Sequence, residues 1–399
     1  MHVDIAVVGA GPTGAIAAKH ALALDGASVL VIEEHASIGS PTQCTGLLST
    51  RALQECGCNP KSDYILNSLQ GAYVYSPDGT RLVIDGKKTK AYVVDRRMFD
   101  RELMLCSVDA GADLMLRTKA VSMSIFKNNK RTLTCRHLGK QIEIDANVII
   151  GADGVASRVA TMAGIDATPK RIITGAQVEA HYDVCDTDFV EIFTGKWAPG
   201  FFAWAVPIDD STARIGLCTT APDAKKYLDR LLDKHPVVSK QYRGGASDFV
   251  VGGIPLGTYD KTVTDGVMIA GDAAAQVKPT SGGGVYTGAV CAKLAGETAA
   301  RFIQDARKEN LAEYDRMWRE SIGKELARGW YIHRGFASMS DEQLNKFVAA
   351  LNHPEIQDII TTYGDMDKPG ILIRKLAMQK QTFSAVKALL PDYRDVLGR

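Results

Sequence analysis

The chain begins with alternating blocks of apolar and helix-forming residues. Residues 2–8 are β-branched and apolar, and an alanine-rich stretch with helical periodicity follows a short glycine turn. A second apolar strand occupies residues 28–32 and ends at Glu33. Strand, turn, helix and strand together have the length of about 30 residues that one βαβ unit requires. The pattern predicts that a parallel, nucleotide-binding α/β sheet starts here.

A different pattern interrupts this sheet. Short alternating runs between residues 72 and 94, broken by the turn at 76–79, are typical of antiparallel hairpins, and short strands dominate again at 175–217. Buried strands return at 145–150 and 267–270. The pattern after Gly288 is almost entirely helical.

These patterns predict an α/β protein of three parts, with a mostly antiparallel sheet domain inserted into a discontinuous Rossmann-like domain and a helical region at the C-terminus. The predicted ranges are 1–70 with 96–170 and 258–300 for the Rossmann-like domain, 71–95 with 171–257 for the sheet domain, and 301–399 for the helical domain.

Composition narrows the function classes. Lys and Arg number 47 against 46 Asp and Glu, so no global field favours nucleic acid. Apolar runs stay below the ~18 residues of a membrane span, and a signal peptide is not recognisable, so a cytoplasmic location is expected. Eight cysteines and eight scattered histidines suggest neither a disulfide scaffold nor a metal site.

The first glycine turn has the spacing of a dinucleotide-binding loop. Gly9 permits the tight turn, Gly11 allows the backbone to approach a pyrophosphate, and Gly14 lets the helix pack on the strand. Thr13 and Ala15 belong to the helix start, whose N–H groups bind phosphate. Glu33 can accept both hydroxyls of an adenosine ribose and would repel a 2′-phosphate, which disfavours NADP. A purely structural glycine turn is the alternative.

Two later motifs indicate which dinucleotide the chain binds. Gly151-Ala152-Asp153-Gly154 and Gly271-Asp272-Ala273-Ala274, the latter followed by Ser281-Gly282-Gly283-Gly284, resemble fingerprints of glutathione-reductase-type flavoproteins of the aromatic-hydroxylase branch. The resemblance implies FAD, with Asp272 at the ribose and pyrophosphate and the glycine-rich helix start at the flavin. The alternative for Asp153 is that it only caps a turn.

Within that branch the chain resembles the geranylgeranyl reductases, in particular the archaeal digeranylgeranylglycerophospholipid reductases, over almost its full length. The similarity rests on Glu33, the segments 39–49 and 92–100, and the run from Gly271 to Val285. The loop after Cys44 keeps only Gly46, whereas some relatives have a more glycine-rich loop. The resemblance implies further FAD-binding residues, namely Cys44, Thr45, Gly46, Leu47, Arg96, Ala120, Gly283, Gly284 and Val285. For Arg96, a surface ion pair with Asp95 or Asp100 is the alternative.

The family also has an aromatic substrate signature. It corresponds here to Pro199 through Pro207 and then Gly216, with Phe202, Trp204 and Val206 projecting to one face of a strand. The resemblance implies that these residues, with Pro207 and Gly216, line an isoprenoid tunnel. Core-filling aromatics are the alternative, and flavin-dependent halogenases have a similar motif together with a catalytic lysine that no sequence marker assigns here.

The implied reaction is the saturation of isoprenoid C=C bonds in geranylgeranyl lipid precursors, by hydride from reduced FAD and a proton. Cys44 is the candidate for a positional or proton-relay role, and a small wall residue is its alternative. Competing functions are a flavin-dependent monooxygenase and a flavoprotein electron carrier. An external donor such as ferredoxin is expected, since a second nucleotide loop is not evident in the sequence.

A lipid substrate raises the question of membrane contact. Residues 368–391 contain five cations and no acid, interleaved with apolar residues, which is typical of a basic amphipathic helix on an anionic membrane surface. A solvated basic face on a helix packed against its own domain is the alternative.

Overall fold

The computed structural model describes residues 1–24, 26–305 and 310–390. Its strands are β1 His2–Val8, β2 Val29–Ile32, β3 Leu47–Ser49, β4 Ile65–Leu69, β5 Gly71–Tyr75, β6 Arg81–Asp85, β7 Ala91–Val94, β8 Asp113–Met115, β9 Thr118–Met123, β10 Arg131–His137, β11 Lys140–Gly151, β12 Arg171–Tyr182, β13 Phe189–Phe193, β14 Ala203–Pro207, β15 Thr212–Thr219, β16 Tyr242–Leu256, β17 Val263–Thr264 and β18 Val267–Ile269. Its helices are α1 Pro12–Ala21, α2 Thr50–Glu55, α3 Arg96–Asp109, α4 Arg158–Ala163, α5 Ala224–Lys234, α6 Val238–Gln241, α7 Val285–Gln304, α8 Ala312–Trp318, α9 Lys324–Ala337, α10 Asp341–Leu351, α11 Pro354–Tyr363, α12 Gly370–Ala377 and α13 Lys380–Leu389.

The first sheet is the predicted Rossmann-like layer. Its main path runs β17-β18-β11-β1-β2-β8, with β1 parallel to both β11 and β2. Ile5 and Val7 pack with α1, α3 and α7 on one face, while Ala6 and Val8 contribute to a second core on the other face. Burial on both faces explains why these strands are continuous apolar runs rather than alternating ones.

The second sheet is the inserted layer, with the order β16-β12-β15-β14-β13-β5-β6. Neighbouring strands are antiparallel except for the parallel pair of β13 with β5. Helix α5 covers one face through Leu228 and Leu231, and β14 faces a cavity between the first two sheets. The predicted fold class is therefore confirmed.

A third, small sheet with the order β3-β7-β4 joins the two layers. Strand β7 lies inside the range 71–95 that the sequence assigns to the inserted domain, but it pairs with β3 and β4 instead. The reason is that Val93 and Val94 are fully buried on both sides of this strand, between the cores of the two layers.

The C-terminal region is helical, as predicted for the described part of 301–399; residues 306–309 and 391–399 lie outside the described ranges. Residues 368–390 form two helices, α12 and α13, rather than one. The buried Thr382 hydroxyl donates to the Leu376 carbonyl at 2.5 Å and closes the corner between them. Among the described residues, no helix has both the length and the apolarity to cross a bilayer.

Candidate cofactor and substrate cavity

One continuous cavity of about 760 Å³ runs between the first and second sheets. The carboxyl ends of β1, β2 and β18 open into it, and β12, β14 and β16 of the second sheet form its far wall. Ligands of open α/β sheets bind at such carboxyl ends. The cavity is therefore the place where the predicted site residues have to meet.

The first glycine loop is shaped by close backbone contacts. Gly9 has φ +103°, and a Cβ there would lie 2.3 Å from the Ala152 carbonyl oxygen. A Cβ at Gly14 would lie 1.8 Å from the Gly9 oxygen. Gly11 differs, since nothing lies within 4 Å of its Cβ position although it lines the cavity. A side chain at Gly11 would thus occupy ligand space, as the dinucleotide interpretation requires.

Glu33 directly follows β2 at the cavity wall. Its carboxylate accepts a hydrogen bond from the Ala10 N–H at 2.9 Å and another from the His35 N–H at 2.9 Å. These bonds fix the carboxylate beside the glycine loop without covering it, because Glu33 still lines the cavity. Its position agrees with the predicted ribose contact.

Asp153 both caps a turn and faces the cavity. Its carboxylate accepts from the Ser157 hydroxyl at 3.1 Å and from the Val159 N–H at 2.9 Å. Burial raises the pKa of this carboxyl, and the hydrogen bonds oppose the rise. The capping role that the sequence left as an alternative is present, together with exposure to the cavity.

The third motif brings a buried acid to the start of α7. Burial raises the pKa of Asp272, with the Arg96 charge opposing. A Cβ at Gly284 would lie 2.5 Å from the Asp272 Oδ1 atom, so a side chain there would displace the Asp272 carboxylate. Helix α7 begins without a side-chain cap, and the Ser281 Oγ is buried without a hydrogen-bond partner. Unpaired polar groups at a helix N-terminus fit an anionic or polar ligand edge.

Arg96 lies inside the cavity wall, not on the surface. Its guanidinium forms a two-pronged pair with Asp100 at 2.8 and 2.9 Å, as one alternative anticipated, but Asp100 is buried and only 13% of the Arg96 side chain is exposed. Burial lowers the pKa of Arg96, whereas Asp100 and a hydrogen bond with Cys44 raise it, and the net change is a rise. The Cys44 Sγ also accepts from the Gly46 N–H at 3.3 Å. The Arg96 guanidinium therefore lies near the thiol that the sequence singled out.

The second sheet supplies an apolar wall. Phe202, which directly precedes β14, and Trp204 and Val206 of β14 all line the cavity, in the alternating positions that the sequence predicts. The Trp204 Nε1 donates to the Gln177 Oε1 at 3.0 Å, which sets the plane of the indole. The ring of Phe202 lies edge-on to it with centroids 6.2 Å apart.

Most predicted residues meet in this cavity, and a few do not. The cavity wall also includes Thr13, Thr45, Leu47, Ala120, Gly283 and Val285. The residues that the structure does not bring to the wall are Gly14, Ala15, Gly46, Pro207 and Gly216. Glycine is still required at 216, since a Cβ there would lie 2.8 Å from the Trp204 ring. Pro207 is buried at the end of β14, away from the cavity.

The sequence interpretation missed a buried cation in the same cavity. Lys278 lines it and pairs with Asp367 at 2.5 Å, although only 8% of Lys278 is exposed. Asp367 comes from the loop between α11 and α12, and the neighbouring Met366 also lines the cavity. The signal for Lys278 was its place between two glycine-rich motifs, but nothing in the sequence relates residues 366 and 367 to the site.

Similarity to known proteins agrees with this geometry. A family model described as an FAD binding domain matches residues 2–239, more than half of the chain. Fold and site thus define an FAD-dependent oxidoreductase. The chain belongs, more narrowly, to the digeranylgeranylglycerophospholipid reductase family.

The individual relatives are archaeal. The digeranylgeranylglycerophospholipid reductase of Methanothrix thermoacetophila is 34% identical over 89% of this chain and 93% of its own length. Digeranylgeranylglycerophospholipid reductase 2 of Methanococcoides burtonii is 34% identical over 99% of this chain and 96% of its own length. The crystal structure of a geranylgeranyl bacteriochlorophyll reductase-like protein from Thermoplasma acidophilum aligns with a TM-score of 0.87 and 26% identity, covering 98% of this chain and 99% of that one.

Proposed function

We propose that this flavoprotein saturates the isoprenoid C=C bonds of geranylgeranyl chains in archaeal-type lipid precursors, such as 2,3-di-O-geranylgeranylglyceryl phosphate. The names of the relatives support this substrate class. The observation that carries the proposal is the continuity of one cavity from the glycine loops to the wall of Phe202, Trp204 and Val206. A pure electron carrier needs no such apolar extension.

The proposed cofactor contacts follow from the lining of the cavity. Gly11 and the start of α1 would hold the pyrophosphate, Glu33 the adenosine ribose, and Asp272 would contact the ribose and pyrophosphate. Bound FAD in its reduced form would supply the hydride. Two requirements then remain for the protein itself. The first is to position the alkene, and the second is to supply a proton at a defined place.

The apolar wall addresses the first requirement. An isolated alkene has no carbonyl oxygen to polarise, so hydrogen-bond donors cannot lower the barrier as in an oxyanion hole. Val190, Ile192 and Ile254 extend the apolar wall beyond the aromatic strand, and an isoprenoid chain packed on them would displace water from it. Such a surface suits a methyl-branched chain and orients it by shape.

Cys44 addresses the second requirement. Its thiol lies on the cavity wall in contact with Arg96, and the Gly46 N–H fixes its direction. We assign it a positional or proton-relay role, with an ordered water or the reduced cofactor as the other proton sources. With reduced FAD bound, one alkene carbon would receive the hydride and the other the proton, so each turnover would add one hydrogen pair.

The partners complete the proposal. Reducing equivalents would come from an external donor such as a ferredoxin, since the sequence shows no second nucleotide loop. The enzyme would work in the cytoplasm and contact the inner face of the cell membrane peripherally, where its lipid substrate resides.

Product mass tests the proposal. The FAD-loaded protein is reduced without oxygen and incubated with digeranylgeranylglyceryl phosphate, and the lipid is then analysed by mass spectrometry. A gain of hydrogen pairs is expected, with much less gain for Trp204→Ala at full FAD loading. A parallel incubation under air tests the competing function, since addition of oxygen atoms to the lipid would indicate a monooxygenase. A lipid mass that is unchanged both without oxygen and under air would contradict an FAD-dependent enzyme acting on this lipid.

A further inference from the structure

Helices α12 and α13 use one side for the core of the C-terminal region. Ile373 and Leu376 of α12, with Val386 and Leu389 of α13, are buried in one cluster together with Ile332 of α9. The apolar residues that the sequence suggested for lipid contact are therefore mostly occupied inside the protein. A partner that binds these two helices therefore contacts their opposite, solvent-facing side.

The solvent-facing side of the two helices consists of basic and apolar residues. Residues at helical spacing point outward from each helix, and we call this surface the basic outer face, defined by Ile371, Arg374, Lys375, Met378, Lys380, Phe383 and Lys387. Its three large apolar side chains are unusually exposed, at 51% for Ile371, 79% for Met378 and 51% for Phe383. Exposed apolar residues grouped within a charged surface mark an interaction site.

The charge of this face has a single sign. The sequence from Lys368 to Leu390 contains no acidic residue. Within the described ranges, none of Arg374, Lys375, Lys380 and Lys387 forms an ion pair; Lys375 lies over the ring of Tyr363 at 4.8 Å. These cations are therefore available to an anionic partner, and a second copy of the same face would be repelled.

The face is also fixed relative to the cavity. The loop that precedes α12 contains Met366, which is 38% exposed and lines the cavity. Asp367 of this loop pairs with Lys278 at 2.5 Å, and Asp365 pairs with Arg51 at 2.6 Å. A surface bound to the basic outer face would consequently lie at a set position near one end of the cavity.

We propose that the basic outer face docks on an anionic lipid bilayer, with Ile371, Met378 and Phe383 entering the interface and the lysines and arginine contacting headgroups. Long cationic side chains beside apolar ones suit this boundary, because their stems lie along the acyl region while the charges stay at the headgroups. That the bound membrane delivers substrate past Met366 rests on the proposed function; the docking itself does not.

Vesicle flotation with the full-length, FAD-loaded protein tests the docking. The protein should float with vesicles of phosphatidylglycerol mixed with phosphatidylcholine and not with phosphatidylcholine alone. The triple variant Lys375→Gln, Lys380→Gln, Lys387→Gln should bind about 100-fold more weakly, since each lysine at the surface adds about fivefold. A matched control, Lys61→Gln, Lys88→Gln, Lys226→Gln, removes equal charge from exposed positions elsewhere and should bind as the parent does.

The apolar part has its own variant. Met378→Ser with Phe383→Ser keeps every charge and should still weaken vesicle binding by about tenfold or more. Absence of flotation, or flotation unchanged in either set of variants, would overturn the proposal. Unchanged flotation combined with slower reduction by an acidic protein donor would assign the face to that protein instead. Flotation requires no turnover, so failure of the proposed reductase activity would leave the flotation results intact.

Discussion

Cys44 lies on the cavity wall, where its thiol accepts a hydrogen bond from the Gly46 N–H and lies near the Arg96 guanidinium. If it relays or orients the proton, Cys44→Ala should lower lipid reduction about 10- to 100-fold while FAD stays bound. Cys44→Ser, which keeps an exchangeable proton, should recover part of the rate. Cys185→Ser, at an exposed cysteine outside the cavity, is the control. Full turnover and an unaltered product pattern in Cys44→Ala would rule the role out.

Asp272 is a buried acid whose burial raises its pKa. The folded apoprotein then binds this proton more tightly than the unfolded chain does, so the carboxylate destabilises the apoprotein as pH rises above 3.8. Asp272→Asn should therefore stabilise the apoprotein at neutral pH and weaken FAD binding about 10- to 100-fold. Thermal unfolding and flavin fluorescence titration measure the two effects, with Asp166→Asn at an exposed position as the control. Unaltered FAD affinity would show that Asp272 does not contact the cofactor.

Single residues of the site were predictable where spacing restricts them. Gly9 and Gly14 are required by backbone contacts, and alternation along one strand placed Phe202, Trp204 and Val206 on one face. Pro207, which the family resemblance placed in the tunnel, ends β14 in the core rather than at the cavity.

The loop between α11 and α12 is tied to the cavity by the buried Lys278–Asp367 pair. Asp367→Asn leaves the Lys278 charge without its partner and should cost roughly 3–5 kcal/mol of unfolding free energy. The double variant Lys278→Met with Asp367→Leu should recover most of that loss, because no buried charge remains. Denaturant titration measures the free energy of unfolding of both variants. If the single and the double variant are destabilised equally, the unpaired Lys278 charge is not the cause of the loss.

The end of α5 contains a buried neutral histidine. The His235 Nδ1 accepts from the N–H groups of Val237 and Val238 at 3.2 and 3.3 Å, and burial lowers its pKa to about 4. The unfolded chain takes up this proton first, so the stability is present above pH 6.5 and lost as pH falls toward 4. His235→Asn keeps an acceptor and should reduce that acid-induced loss by roughly 3 kcal/mol. The exposed His353→Asn serves as control, and an acid slope equal to the parent's would contradict the assignment.

Elements were predictable where local pattern decides them. The strands predicted from apolar runs at 2–8 and 145–150 correspond to β1 and to the end of β11. Strand β7 and the corner between α12 and α13 were not predictable, since each depends on a partner distant in sequence or on a side-chain hydrogen bond.

At the scale of the molecule, the nucleotide-binding half was evident in three motifs that must converge on one ligand. The contribution of the C-terminal region to the cavity was not, because Met366 and Asp367 reach it only through the packing of α9–α13. The basic stretch near the C-terminus differs from the single amphipathic helix that the sequence predicts. Most of its apolar residues are buried in the core, and the exposed apolar residues lie on the same side as the cations.

The central claim is that one cavity holds FAD and an isoprenoid chain together. Anaerobic single-turnover absorbance measures it most directly: the reduced, FAD-loaded protein is mixed with digeranylgeranylglyceryl phosphate or with its fully saturated counterpart. The unsaturated lipid should restore the oxidised flavin spectrum, with one hydrogen pair gained by the lipid for each flavin reoxidised, and the saturated lipid should leave the spectrum unchanged. A flavin that stays reduced with both lipids, or reoxidises without any gain in lipid mass, would contradict the account.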